Sequence, residues 1–130
     1  MLELHQIAQH ADDLDRAVAF YAGSLGGELI ARYEPPGLAF LRLGQARLLL
    51  EAAAPSALIY LRVDYVRRSI TELREAGVMI DTEPHRIHVD EQGASGEPGW
   101  EEWMAFIRDS EGNLVGIASR NGPVADPQAT

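Results

Sequence analysis

The chain has 130 residues, which suits one compact domain, and 46% of them are hydrophobic, enough for a buried core. With 11 basic and 20 acidic residues its formal net charge is −9 at pH 7, which disfavours nucleic acid and anionic membranes as partners. The chain has no cysteine, so disulfides and Cys-containing metal sites are excluded. Residues 1–5 show no basic region followed by an apolar run, so we expect no export. We therefore expect a cytoplasmic protein that binds neither nucleic acid nor membrane.

The first half of the chain predicts a strand, a helix and three further strands. The first strand covers residues 4–9, and Asp12 or Asp13 caps the helix that follows. One apolar stripe at helical spacing is formed by Leu14, Ala17, Val18, Tyr21 and Leu25. Glycines end the helix, and the three strands are predicted over residues 28–33, 38–43 and 46–51.

The second half predicts the same series of elements. A strand over residues 57–63 precedes a helix that carries Val66, Ser69, Ile70, Leu73 and Ala76 at helical spacing. The remaining strands are predicted over residues 79–89, interrupted near Pro84, then 102–108 and 113–119. Residues 90–100 form one long glycine-containing loop, for which a binding lid and a merely mobile connection are equally open.

An internal repeat joins these two halves. Residues 11–18, of sequence ADDLDRAV, are followed 52 residues later by VDYVRRSI over residues 63–70, each between a short strand and an amphipathic helix. Such a repeat predicts two similar modules, neither long enough to bury its own apolar face. We assign residues 1–53 to the first module, 54–120 to the second and 121–130 to a flexible tail, all within one domain.

This arrangement resembles the vicinal oxygen chelate superfamily. The resemblance is carried by the repeat, by the helix over residues 12–21, by the Leu25-Gly26 step and by the turn DSEGNL over residues 109–114. The superfamily includes glyoxalase I, methylmalonyl-CoA epimerase, extradiol dioxygenases and the bleomycin resistance proteins. The resemblance implies an α+β fold in which two βαβββ repeats pair their sheets into a cup for a small molecule.

The resemblance also implies four metal-binding positions. Catalytic members hold a divalent cation through His, Glu or Gln side chains on the first and last strands of each module. Those positions fall here on Gln6 and Leu58 in the first strands, and on Gly116 in the final strand. The fourth falls near Leu49, and Glu51, two residues on, shares its strand face.

Two of these positions offer no donor atom, because Leu58 is aliphatic and Gly116 has no side chain. Gln6 and Glu51 remain as candidate metal ligands, and a one-residue bulge would bring His5 to the same face. Two protein ligands bind a divalent cation weakly. We therefore expect no cofactor, while a divalent metal stays possible.

Residues suited to proton transfer surround the expected metal position. Strand alternation puts His10 on the face of Gln6, and Tyr60 and Arg62 on the corresponding face of the second module. The catalytic candidates are His10, Glu51, Tyr60, His85 and His88. His85 and His88 are three residues apart, which in a regular strand puts them on opposite faces. The alternative for Arg62 and Glu51 is an internal ion pair, and for each histidine a solvent-facing or capping role.

An aromatic and thioether group follows the long loop. The ligand-binding candidates are Gln6, Arg62, Trp103, Met104 and Phe106. In a strand Trp103 shares one face with Ala105, and Met104 shares the other with Phe106, so one of these pairs is expected in the core. The same apolar residues would also suit a dimer interface.

The sequence thus predicts a superfamily member that binds a small molecule and has lost most of its metal site. The nearest likeness is the bleomycin resistance type, in which two chains pair to form the binding grooves, so we expect a homodimer. The alternative is a metal-dependent isomerase, lyase or dioxygenase of the same superfamily, acting through Gln6, Glu51 and His5, or a metal-free proton-transfer enzyme. A purely structural dimeric module is a third possibility.

Overall fold

The computed structural model describes residues 1–122, which form two compact units. The first unit consists of Met1–Ala57 together with Asp109–Asn113, and the second of Leu58–Arg108 together with the chain from Leu114 onward. The sequence placed the division at residue 53, before the connection between the two sheets, whereas the contacts place it after that connection. The sequence also gave no sign that the turn over residues 109–113 packs within the first unit.

The first unit contains one four-stranded sheet and a short helix. Its elements are β1 (Ile7–His10), α1 (Leu14–Val18), a π-helical turn (Ala19–Ser24), β2 (Glu28–Tyr33), β3 (Leu38–Leu43) and β4 (Ala46–Glu51). The strand order is β1-β4-β3-β2. β1 runs parallel to β4, and the other neighbours are antiparallel.

The helix of the first unit begins as predicted and then changes pitch. The side chain of Asp13 accepts a hydrogen bond from the backbone N–H of Arg16 at 3.1 Å, which confirms Asp13 as the cap. The α-helix ends at Val18, and the chain continues in π-helical form, with Leu25 N–H donating to Phe20 O at 3.1 Å. The predicted apolar stripe still meets the core, since Ala17 and Tyr21 are completely buried.

The second unit repeats this plan. Its elements are β5 (Ile59–Arg62), α2 (Val66–Glu75), β6 (Met79–Asp90), β7 (Trp100–Arg108) and β8 (Leu114–Asn121). The strand order β5-β8-β7-β6 matches that of the first sheet, again with one parallel pair, β5 and β8. β8 extends through Asn121, which the sequence had assigned to the tail, because Asn121 pairs with Glu101 of β7. The rest of that predicted tail, residues 123–130, lies outside the described residues.

β6 is longer and less regular than predicted. Its pairing with β7 shifts register between Ile80 and Thr82, between Thr82 and His85, and between Arg86 and His88. The second of these shifts spans Pro84, in agreement with the predicted interruption. The third places His85 opposite Met104 and His88 opposite Glu102, two residues apart on one face of β7. The prediction that the two histidines lie on opposite faces is therefore wrong, because the bulge at Ile87 adds a residue between them.

Both sheets bury one face under their helix. In the first unit Leu41, Leu48 and Leu50 are at most 2% exposed, and in the second Ala105, Ile107 and Ile117 are at most 1% exposed. The fold class predicted from the sequence, α+β with two repeats of strand, helix and three strands, is confirmed. Within residues 1–122 no helix has the length and apolar character needed to span a membrane.

Candidate functional site

The sheet face away from α2 carries a row of three register partners. Tyr60 of β5 lies opposite Gly116 of β8, and Gly116 lies opposite Phe106 of β7. A Cβ added at Gly116 would lie 2.4 Å from Cδ1 of Tyr60, so the phenol ring occupies the space above the glycine. The rings of Tyr60 and Phe106 meet edge to face, with 6.0 Å between centroids and 69° between planes. Gly116 is thus the residue that lets Tyr60 lie flat across the sheet.

This row is the centre of a wider apolar surface with polar groups at its margin. Tyr60 is 53% exposed, and Met104 lies on the same face as Phe106, two residues before it. The bulge in β6 brings His85 and His88 to this face, and both are exposed. Four of the predicted site residues of the second module therefore share one face with Tyr60: Met104, Phe106, His85 and His88.

Trp103 does not belong to this surface. It alternates with Met104 and lies on the helix side of the sheet, where the guanidinium carbon of Arg67 lies 4.3 Å from its ring centroid. Its indole N–H donates to Glu101 at 3.0 Å, and this bond, with a further one from Arg86, holds the pKa of Glu101 below its ordinary value. The prediction that Trp103 and Ala105 share one face and Met104 and Phe106 the other is confirmed.

Arg62 lies at the edge of a groove at the start of α2. The groove has a volume of about 370 Å³, and its lining includes Arg62, Tyr65, Arg68 and Ser69. Arg62 is exposed and makes no ion pair with a carboxylate within its own unit. Arg62 thus places its guanidinium, which has no carboxylate partner among the described residues of its unit, next to an open volume.

In the first unit two of the three candidate metal ligands, Gln6 and His5, contact an arginine. Nε of Arg47 donates to Oε1 of Gln6 at 3.0 Å, and Nη2 of Arg47 lies 2.9 Å from Nε2 of His5. A guanidinium carries a full positive charge and only donates hydrogen bonds. The two atoms that would bind a metal ion, Oε1 of Gln6 and Nε2 of His5, are therefore already directed at the guanidinium of Arg47.

Two further candidates, His10 and Glu51, are register partners on the parallel strands β1 and β4. The imidazole of His10 does not reach across to the carboxylate. Its Nδ1 lies 3.0 Å from both Ala52 O and Ala54 O, and its Nε2 lies 2.8 Å from Asp12. Burial opposes the charge on His10, but these carbonyl and carboxylate groups outweigh it, so the pKa of His10 lies above its ordinary value.

The residues present do not fit the superfamily's divalent cation. Leu58 and Gly116 supply no donor, the ring of Tyr60 covers Gly116, and Gln6 binds Arg47. Among residues 1–122 no group of three or more His, Asp or Glu side chains is arranged to hold a metal ion. No reaction step through a metal is therefore derived for this chain, and the catalytic and metal-binding roles assigned from the sequence stay predictions.

A buried polar network in the first unit was not anticipated. Asp109 accepts a hydrogen bond from Tyr21 Oη at 2.6 Å, from Asn113 Nδ2 at 2.8 Å, and from the backbone N–H groups of Glu111 and Asn113. Burial, together with the Asp109 carboxylate, raises the pKa of Tyr21 well above its ordinary value. Gln9, completely buried, bonds both backbone groups of Ala57. The sequence signal for this network is the DSEGNL turn, which contains both Asp109 and Asn113.

The long loop between β6 and β7 is organised by two charged residues. Asp90 accepts hydrogen bonds from Ser95 and Ala94 N–H, both at 2.9 Å, and these bonds with Arg120 hold the pKa of Asp90 below its ordinary value. Arg120 also bonds Glu102 at 2.7 Å and the carbonyl of Glu97 at 2.7 Å. The choice between a lid and a mobile connection stays open, but these bonds tie the loop to the second sheet.

Comparison with known proteins agrees with this fold. The family model described as the Glyoxalase/Bleomycin resistance protein/Dioxygenase superfamily matches residues 3–117, which confirms the resemblance drawn from the sequence. No curated protein matches the chain.

Solved structures are similar over nearly their whole length. A lactoylglutathione lyase from Agrobacterium tumefaciens is 25% identical, covers 90% of this chain and 92% of its own, and has a TM-score of 0.63. A superfamily protein from Alicyclobacillus acidocaldarius is 18% identical, with 90% of each chain covered and a TM-score of 0.66. A third, from Sphaerobacter thermophilus, is 15% identical, with 92% and 98% covered and a TM-score of 0.69.

Proposed function

The chain belongs to the Glyoxalase/Bleomycin resistance protein/Dioxygenase superfamily, and within it we propose that this protein binds a small organic molecule without a divalent cation. The ligand packs a planar apolar or aromatic group against Tyr60, Phe106 and Met104 on the open face of the second sheet. Members of this superfamily differ in chemistry on one scaffold, so the proposal rests on side chains and not on the fold.

One observation carries the proposal: the ring of Tyr60 lies over Gly116, where the superfamily resemblance implies a metal ligand. The position that would supply a carboxylate instead supplies space for an aromatic side chain. An exposed aromatic ring supported by a second ring offers a flat apolar contact surface, and aromatic pairs of this geometry contribute about 0.5–1.5 kcal/mol each. His85, His88 and Arg62 supply polar groups for orienting the ligand.

The second candidate is a metal-dependent isomerase or lyase. It is favoured by the 25% identity to a protein named as a lactoylglutathione lyase. Such an enzyme needs a divalent cation to stabilise a developing oxyanion. The contacts of Gln6 with Arg47, and of Tyr60 with Gly116, speak against this candidate.

The test combines a cation titration with a ligand screen. Calorimetry with Zn²⁺, Ni²⁺, Mn²⁺, Fe²⁺ and Mg²⁺ is expected to show no stoichiometric binding. A thermal-shift screen of neutral planar aromatic compounds is expected to find compounds that raise the melting temperature of the cation-free protein. Tight stoichiometric cation binding, with lyase or isomerase activity that depends on it, would reverse the order of the two candidates.

A matched pair of variants locates the binding surface. Tyr60→Ala is expected to weaken binding of a screened compound about tenfold. Tyr33→Ala is the control, because Tyr33 is also 53% exposed and its ring also meets a phenylalanine edge to face, Phe40 at 6.1 Å. Equal effects of the two substitutions would contradict the proposed surface.

We also propose that the protein acts as a cytoplasmic homodimer. The resemblance to the bleomycin resistance type supports the dimer, and the cysteine-free acidic composition supports the location. Sedimentation equilibrium at micromolar concentration tests the dimer, for which a monomeric mass is the contrary result.

A further inference from the structure

One guanidinium on the open face of the first sheet is held in place by neutral groups. Arg47 donates from Nε to the amide oxygen of Gln6 and from Nη2 to His5 Nε2, which must be the unprotonated nitrogen in order to accept. The guanidinium carbon lies 4.9 Å from the ring centroid of Phe40. Arg47 is half-buried, and these three contacts fix its direction without neutralising its charge.

Arg47 has no carboxylate counter-ion among the described residues of its unit, although the chain is rich in carboxylates. All 11 basic residues are arginines, and 20 carboxylates accompany them. Within residues 1–122, ion pairs with carboxylates are formed by seven of these arginines: Arg16, Arg32, Arg42, Arg74, Arg86, Arg108 and Arg120. Within the first unit Arg47 has no carboxylate partner, although acidic residues are in excess.

A second arginine increases the positive charge at this position. Arg42 of β3 and Arg47 of β4 are register partners, so their side chains stand on the same face. Like charges directly opposite each other destabilise an antiparallel pair. Arg42 has only a distant partner, Glu28 at 3.9 Å, and both side chains are more than half exposed. An anion between the two guanidinium groups would remove this repulsion.

We propose that Arg47, assisted by Arg42, binds an oxyanion, the carboxylate or phosphate group of a small ligand, on the open face of the first sheet. A guanidinium has five N–H donors; Gln6 and His5 use two, and three remain for a two-oxygen contact. This site lies within the first unit, and the inference rests on the proposed function only in taking the bound ligand to be a small molecule.

The experiment follows the arginine side chains by NMR in protein labelled with ¹⁵N. Sodium phosphate and sodium acetate are titrated separately against sodium chloride at constant ionic strength. The Nε–Hε signal of Arg47, assigned from its absence in Arg47→Gln, is expected to shift saturably with at least one of the two oxyanions and not with chloride. Saturation by phosphate alone or by acetate alone identifies which oxyanion the site accepts. A linear response no larger than that of Arg68 overturns the proposal.

Variants distinguish a two-point contact with the Arg47 guanidinium from non-specific attraction by positive charge. Arg47→Lys keeps the charge and is expected to weaken oxyanion binding about tenfold, because the two-point contact is lost. Arg68→Gln changes the net charge as Arg47→Gln does and is expected to leave the affinity unchanged. Arg42→Gln also removes one positive charge from the site, and it is expected to weaken oxyanion binding even if Arg47→Gln fails to fold. Equal affinity in Arg47→Lys, Arg42→Gln and the parent chain overturns the site.

The probe ions also separate this inference from the proposed function. Phosphate and acetate have no ring, so Tyr60→Ala is expected to bind them as the parent chain does. If the parent chain binds neither phosphate nor acetate, the Arg47 site is overturned and the proposed function is unaffected. If Tyr60→Ala does not weaken the binding of aromatic compounds, the proposed function is overturned and the Arg47 site is unaffected.

Discussion

The open faces of the two sheets carry equivalent rows of register partners with opposite distributions of bulk. In the first sheet the row is Ala8, Leu49 and Phe40, and in the second it is Tyr60, Gly116 and Phe106. The phenylalanine is common to both. The first row puts its large residue on the central strand, where Leu49 is 8% exposed, whereas the second puts it on the outer strand, where Tyr60 is 53% exposed. A repeat can therefore keep its backbone pairing while one row has a buried leucine at its centre and the other an accessible tyrosine at its edge.

The buried faces differ in a complementary way. The first unit contains an internal carboxylate, Asp109, with all its hydrogen bonds satisfied by Tyr21, Asn113 and backbone groups. In the second unit the backbone N–H of Val66, at the start of α2, instead donates to a hydroxyl oxygen, Ser119 Oγ, at 3.2 Å. The stability of the first unit should therefore depend more strongly on single polar residues and on pH.

The largest expected effect comes from removing the buried carboxylate. Asp109→Ala leaves the Tyr21 hydroxyl and several N–H groups without partners in a buried site, and we expect it to lower the free energy of unfolding by about 3–5 kcal/mol. Urea unfolding measures this loss. Tyr21→Phe, which removes one hydrogen bond and keeps the ring, is the control and should cost about 1 kcal/mol. Similar losses in the two variants would show that Asp109 does not organise the network.

The next effect is pH dependence in the same unit. Hydrogen bonds from Arg16, and then from the backbone N–H of Asp13, lower the pKa of Glu111 from 4.5 to about 2. A folded-state pKa below the unfolded one stabilises the fold above pH 4.5, and this stabilisation is lost as the pH falls toward 2. We expect a loss on the order of 2 kcal/mol over that range.

Unfolding by urea between pH 2.5 and pH 6 measures this pH dependence. Glu111→Gln should flatten the pH dependence relative to the parent chain, while the shifts of Asp90 and Glu101 in the same direction remain in both proteins. An unchanged slope in Glu111→Gln would show that Glu111 does not titrate with folding.

A smaller effect is expected from exchanging one row for the other. Gly116→Leu alone forces the Tyr60 ring away from the sheet and should cost about 1–3 kcal/mol. The double variant Tyr60→Ala with Gly116→Leu copies the first row and should recover most of that loss, while it no longer binds aromatic compounds. Thermal unfolding and the ligand screen measure the two results, and a double variant as unstable as Gly116→Leu would contradict the equivalence of the rows.

The smallest expected change in stability is at Glu51. The Glu51 side chain makes no hydrogen bond or ion pair within the first unit, so Glu51→Gln should alter the free energy of unfolding by less than about 0.5 kcal/mol. If Glu51 contacts the ligand, the same change weakens binding. Lost stability with unchanged binding would instead indicate that Glu51 has a structural partner.

Most of the local structure followed from the sequence by itself. The strands over residues 28–33, 38–43 and 46–51 have the predicted bounds, because glycine and proline turns separate alternating segments. The repeat and the DSEGNL turn identified the superfamily, and the glycine at position 116 marked a predicted metal position that has no side chain. These features depend on short-range conformational preferences and on residue chemistry, and both can be read from the sequence.

Tertiary structure alone decided which side chains surround the predicted metal positions. The bulge at Ile87 brought His85 and His88 to one face, and no local pattern marks where a strand adds a residue. The contacts of Tyr60 with Gly116 and of Arg47 with Gln6 join strands far apart in the chain. Such contacts depend on register between paired strands and on the volume left by a neighbour, quantities that exist only after the sheet has formed.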